Sequence, residues 1–239
     1  MPGSHYIALS GLRTRVDALD RLASDLANVG TTGYKGERDT TASAERPTFD
    51  RSLQSAIDTT QGGRRVDMSN GAFAPTGRPL DVAIDGEGFF VVDTPNGTRY
   101  TRNGHFSLDA DRKLVTEDGL TVQGNDGPII VGDGEVRVDG DGSVWADQTK
   151  AGQLQVMKFG DPGLLGRDQF SRLRADGQAA TTVETARVRG GTLEQSNVSV
   201  AERLAQLTTL SRGFEALQKS IAMLLNDVDG RAIDQFGRR

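Results

Sequence analysis

The sequence predicts an α+β protein, a mostly-β central module bounded by N- and C-terminal α-helices that pair in a coiled-coil-like assembly. Three observations predict it. At both ends of the 239-residue chain apolar residues recur at alternating steps of three and four, the stripe of a helix that wants a partner. In the middle, short apolar runs are divided by Asp-Gly and Asn-Gly steps at hairpin spacing. Between these regions lie polar stretches with too few apolar anchors to build a core of their own.

The first helix is expected over residues 5–29. Leu9, Leu12, Val16, Leu19, Ala23 and Leu26 make its stripe, with Leu22 and Val29 widening it. It ends where Asn28, Gly30 and Gly33 cluster, because both residue types accept the left-handed conformation that closes a helix. Residues 36–65 read as an extended connection with one short helical turn near 50–58, anchored by Phe49, Leu53 and Ile57.

From Val66 to Phe159 the period becomes strand-like. The predicted strands centre on Leu80–Ile84, Phe89–Val92, Arg99–Thr101, Phe106–Leu108, Lys113–Val115, Ile129–Val131, Val136–Val138, Val144–Trp145 and Leu154–Met157. Their separators Asp85-Gly86, Asn96-Gly97, Asn103-Gly104, Asp118-Gly119 and Asp141-Gly142 are expected to use positive φ at glycine. Residues 160–190 form a second polar connection, to which Val183–Val188 adds a strand. The last helix runs from about Val200 to Val228, with Ser196, Asn197 or Ser199 as N-cap. Its stripe is Leu207, Leu210, Phe214, Leu217, Ile221, Leu224 and Val228, and Glu202, Arg203, Gln206, Arg212, Glu215, Gln218 and Lys219 flank it on the expected solvated face.

Composition narrows the function. A net charge of -5 with both signs interspersed offers no basic face for nucleic acid and no polybasic lipid anchor. No run reaches membrane-spanning length. With no cysteine, disulfides and thiolate metal sites are excluded together. Arg13, Arg15, Asp17, Asp20, Arg21 and Asp25 interrupt the apolar residues near the N-terminus, so a cleavable signal peptide is not expected.

Candidate chemical sites have simpler readings. Asp139, Asp141 and Ser143 have the beginning of a calcium loop, but the glycine position is Val144 and the twelfth is Lys150, so a hairpin turn is predicted. His5 and His105 have no second ligand at useful spacing. Gly86 and Gly88 end a strand that no helix follows, unlike a phosphate loop. Asp85 and Glu87 are read as turn carboxylates rather than a glycosidase acid pair. Trp145, Phe89, Phe90 and Tyr100 are read as β-core packing rather than a sugar platform. No enzyme, metal or cofactor is predicted.

Four stretches then resemble one family. They are Leu26–Lys35 with its Asn28…Thr31-Thr32-Gly33-Tyr34-Lys35; Gly77–Phe90 running on to Tyr100-Thr101-Arg102-Asn103-Gly104; Leu114-Val115-Thr116 through Asp118-Gly119; and Gly191–Val198. In content and order the chain resembles the axial proteins of the bacterial flagellum, the family of rod and hook subunits. It departs from the family at Asp25, Gly30 and Ser199, where asparagine is usual. The resemblance implies a structural subunit that self-associates with its own copies and with other proximal and distal rod subunits. It also implies passage through the flagellar export apparatus and residence in the basal body between the two membranes. Residues 1–34 and 191–239 would then supply helices of an inner tube, 66–190 an outer β-rich domain and 35–65 a linker. The expected subunit interface is Leu9, Leu12, Val16, Leu19 and Leu26 with Leu207, Leu210, Phe214, Leu217, Ile221 and Leu224; Asn28, Thr32, Gly33 and Tyr34 are the helix-end motif. A different reading of the same residues, a wall- or carbohydrate-binding β module on a helical oligomerisation stalk, predicts a closed dimer instead.

Overall fold

The computed structural model describes residues 2–39, 64–169, 171–184 and 186–236, with side chains described from residue 12 to residue 219 within those ranges except at Asp39, Arg64 and Leu217. The predicted helical turn near 50–58 lies outside the described residues. Helix α1 spans Pro2–Ala27 and helix α2 spans Val200–Phe236. Between them the chain is mostly β, in short antiparallel strands. Two compact units result, one built on α1 and α2, the other on residues 28–38 and 64–198.

The β unit is organised on a six-stranded sheet in the order Gly166–Arg167, Leu173–Arg174, Gly97–Thr101, Phe89–Thr94, Val156–Phe159, Ala180–Thr182. Its centre is the hairpin pairing Phe90 with Thr101 and Thr94 with Gly97, turned at Pro95-Asn96. The strand Phe89–Thr94 begins with four buried apolar residues because both of its faces are covered. Alternation divides them: Phe90 joins a larger cluster with Val82, Ile84, Phe106, Leu114 and Val144, while Phe89 and Val91 join Val66, Tyr100, Phe159 and Leu173. Phe90 meets Phe106 edge-on at 5.1 Å between centroids, and Tyr100 meets Phe159 likewise at 4.7 Å. Phe89, Phe90 and Tyr100 are thus core residues, whereas Trp145 is half-buried under the Arg137 guanidinium.

Several local expectations are corrected. Among the described residues of the run Val183–Val188 only Val188 lies in a strand, Val188–Gly190, and the strand before it is Ala180–Thr182. Ile129–Val131 makes only an isolated bridge, Ile130 to Lys113, although Ile129 and Val131 are buried in the larger cluster. Gly104 is not at positive φ; it is glycine because a Cβ there would lie 1.7 Å from the Val82 carbonyl oxygen. Asp139, Asp141 and Ser143 close a hairpin turn, in which the Asp141 carboxylate accepts the Ser143 N–H and hydroxyl, both at 2.9 Å.

Candidate assembly surface and its anchor

Within the helical unit α1 and α2 lie against one another. Arg15 donates to the Gly213 carbonyl, and Asp25 pairs with Arg203 at 3.1 Å. Arg203 therefore does not occupy a solvated face as expected; its partner Asp25 is buried, and a charge inside an apolar seam is stable only when paired. Ser199 caps α2, its hydroxyl accepting the Glu202 N–H at 3.5 Å and its carbonyl the Arg203 N–H at 3.0 Å. Asn197, the rival cap, is engaged elsewhere.

The predicted interface residues are distributed unevenly. Leu12, Leu19 and Leu26 are half-buried on α1, as are Leu207, Leu210 and Phe214 on α2. Leu22 and Asp25 face inward, while Ala23 is exposed and Val16 is 42% exposed. Val200 and Leu204 are 44% and 46% exposed at the start of α2. Leu9, Leu217, Ile221 and Leu224 lie on the helices, with side chains outside the described residues. One chain thus covers part of its own apolar stripe and leaves part bare.

The helix-end motif has a different role from the stripe, because it belongs to the β unit. After α1 the chain turns through Thr31, whose N–H reaches the Asn28 carbonyl at 3.0 Å and whose hydroxyl reaches Asn28 Oδ1 at 3.2 Å. Thr32 is half-buried in this turn. Gly33 adopts φ +66°, and a Cβ there would meet the Arg102 carbonyl carbon at 2.3 Å, so only glycine fits. Tyr34 is buried beneath the Arg167 guanidinium, 4.5 Å from its ring centroid.

Next to this turn lies a buried ionic cluster that reading the sequence did not identify. The Glu194 carboxylate is fully enclosed and accepts from Lys35 Nζ at 2.6 Å, the Gly71 N–H at 3.0 Å and Arg102 Nη1 at 3.2 Å. Lys35 also donates to the Ser69 carbonyl at 2.8 Å, and Arg102 to the Gly86 carbonyl at 2.8 Å. Burial pushes the Lys35 ammonium and the Arg102 guanidinium below their usual values, and the Glu194 carboxylate opposes both shifts. Asn197 completes the join. Its Oδ1 accepts the Gly36 N–H at 2.8 Å, and its Nδ2 donates to the Asp67 and Ser69 carbonyls at 2.9 and 3.0 Å. One signal was available: each residue sits in a stretch that carries the resemblance, and the charges there have opposite signs. Nothing local pairs them, since Lys35 and Glu194 are 159 positions apart.

Two of the candidate chemical groups, Asp85 and His105, are occupied by structural contacts, and the His5 side chain lies outside the described residues. The exposed Asp85 carboxylate receives Arg189 at 2.8 Å, and His105 Nδ1 lies 2.8 Å from the buried Asp81 carboxylate. A polar cleft of about 410 Å³ is lined by Asn28, Thr31, Thr101, Asn103, Asp118 and Arg172. In its wall burial pushes the Asp118 carboxyl upward, but the Thr116 hydroxyl and Arg172 together bring it below the usual carboxylate range. Among the described residues no helix is long and apolar enough to cross a membrane.

Comparison with known proteins bears on both units. Residues 83–146 match the flagellar hook protein FlgE/F/G D1 domain, and residues 189–224 match the C-terminal region of the flagellar basal body rod FlgEFG proteins. The flagellar basal-body rod protein FlgF of Caulobacter vibrioides is 31% identical over 247 residues, covering 100% of this chain and 99% of that protein. FlgF of Escherichia coli is 31% identical over 95% of each chain. The flagellar basal-body rod protein FlgG of Bacillus subtilis is 31% identical over 91% of this chain and 93% of its own.

Proposed function

The chain belongs to the flagellar basal-body rod proteins of the FlgF/FlgG type, structural subunits rather than enzymes, and from that premise we propose that its copies associate head to tail through α1 and α2. One observation carries the reading. α1 and α2 cover each other only in part, leaving Val16, Val200 and Leu204 more than two-fifths exposed beside half-buried Leu12, Leu19, Leu207, Leu210 and Phe214. Covering such a stripe with another copy recovers at most about half of the roughly 1.5–3 kcal/mol that burying a fully exposed large apolar side chain contributes, since each of these is already more than half covered. Head-to-tail contacts whose rotation does not close generate a filament rather than a ring. The rest of the interface follows the stripe through Leu9, Leu26, Leu217, Ile221 and Leu224, with residues 1–34 and 191–239 on the inner side, 66–190 outside and 35–65 as linker.

Within the family the reading is the proximal-rod subunit FlgF. The chain's length and its correspondence with FlgF relatives from end to end support it, with the distal-rod protein FlgG as the neighbouring reading. Its partners are then its own copies and adjoining proximal and distal rod subunits in the periplasmic part of the basal body, reached through the flagellar export apparatus. The test uses the purified full chain in sedimentation velocity and negative-stain imaging. Oligomers or tubes are expected, and their loss when Leu217→Asp and Ile221→Asp are combined. A closed dimer that survives the double substitution and binds glycan overturns the reading in favour of a wall-binding module. Locating the subunit in an image reconstruction of an intact basal body decides between proximal and distal rod.

A further inference from the structure

Two runs of backbone leave the β unit for the helices, and both are tied to one acidic residue. The Glu194 carbonyl accepts the Gly33 N–H at 2.7 Å, while its carboxylate holds Lys35, the Gly71 N–H and Arg102. Three residues further on, the Asn197 N–H donates to the Tyr34 carbonyl at 3.3 Å and Asn197 Oδ1 accepts the Gly36 N–H. Residues 33–36 and 194–197 are therefore fastened side by side. From there the connections are short: six positions back from Gly33 to Ala27, the last residue of α1, and three forward from Asn197 to Val200, the first of α2.

An apolar stripe spaced at three and four cannot choose its own register, since sliding one helix by seven residues restores the same pattern. Something outside the repeat must select one alignment. We propose that Glu194 is a positioning residue for assembly: by holding these two runs in one alignment it sets the register in which α1 and α2 meet. The buried Asp25–Arg203 pair, two residues before the end of α1 and three after the start of α2, marks the register so selected. A carboxylate suits this task because two cations and an N–H must converge on its oxygens at once. That geometry is met in one alignment of the strands and lost in any other. The consequence for assembly rests on the head-to-tail reading above; the register role itself does not.

The chain has no cysteine, so spin labels can be placed cleanly at the exposed positions Asp20→Cys on α1 and Thr208→Cys on α2 of the full-length protein. With Glu194 intact, the inter-label distance is expected to be single and narrow. Glu194→Ala is expected to add populations in which α1 and α2 are slid past one another by the seven-residue repeat, about 10 Å. The same variant is expected to lower oligomer yield about tenfold or more, the effect of roughly one decade in an association constant. Val144→Ala in the β core, a change of packing alone, is expected to leave the distances unchanged. If Glu194→Ala unfolds the β unit, as read from Trp145 emission, Lys35→Met replaces it with the same expected spreading. An unchanged narrow distance in the folded variant, or equal spreading with Val144→Ala, overturns the proposal. A narrow distance in an unsubstituted chain that forms no oligomer leaves the register role standing and overturns the assembly reading.

Discussion

Replacing Lys35 by methionine keeps the length of the side chain and removes its charge. The ammonium is 2% exposed and sits 2.6 Å from a carboxylate that is 0% exposed. Without it Glu194 retains Arg102 at 3.2 Å and the Gly71 N–H at 3.0 Å. Removing one partner of a buried pair costs about 3–5 kcal/mol, because the survivor is left charged and dry. The remaining guanidinium places Lys35→Met near the lower end of that range, about 3 kcal/mol. Glu194→Gln strands two buried cations without an anion and belongs near the upper end, about 5 kcal/mol. Urea unfolding of the full chain followed by emission of Trp145 reports on the β unit, since the only tryptophan lies in the strand Ser143–Ala146. With a slope of about 1–3 kcal/mol per molar urea, the loss lowers the midpoint by roughly 1–3 M for Lys35→Met. Arg174→Met, which breaks the exposed Arg174–Asp176 pair, is the control and should leave the midpoint where it was. Joint replacement by Lys35→Met, Arg102→Met and Glu194→Leu should recover much of what either single change loses, since no charge is then left stranded. Equal, small shifts for Lys35→Met and Arg174→Met would refute the reasoning.

Three further outcomes are expected. Gly33→Ala forces a Cβ to within 2.3 Å of the Arg102 backbone at φ +66°, and unfolding should show a loss of about 2–5 kcal/mol, the sum of a left-handed side chain and overpacking. Ser199→Ala removes the cap of α2, and circular dichroism at 222 nm on heating should show a loss of about 1 kcal/mol of helix stability. The Arg99 guanidinium holds the Asp168 carboxyl below the usual carboxylate range, so on acidification the unfolded chain takes up this proton first. The contribution is therefore complete above the ordinary aspartate value of about 3.9 and is lost as pH falls through the folded one. Urea midpoints between pH 6 and pH 2 should fall on acidification, less steeply in Asp168→Asn.

Helices, hairpins and family were legible in the sequence because their signals are local. A stripe at steps of three and four reports its own period, so Leu12, Leu19, Leu26 and Leu207, Leu210, Phe214 marked α1 and α2 without reference to any partner. Gly97 and Gly142, at φ +95° and +83°, mark turns in the same way. The uninterrupted run Phe89–Val92 marked a strand, and the structure covers that strand on both faces.

What local pattern could not supply was pairing. Arg203 reads as a solvated flank until Asp25 is placed 3.1 Å away, and Asn197 reads as a helix cap until Gly36 and Ser69 are brought to it. Gly104 reads as a turn residue until the Val82 carbonyl arrives where its side chain would be. Lys35, Arg102 and Glu194 each look like ordinary surface charges, and only the folded chain brings them together across 159 and 92 positions. The sequence alone determined where the two helices and most of the hairpins form and to which family the chain is akin, since hydrophobic period and turn chemistry act over a few residues. The tertiary structure alone decided which charges are buried and which glycines are irreplaceable, because desolvation and steric exclusion depend on neighbours that sequence distance does not reveal.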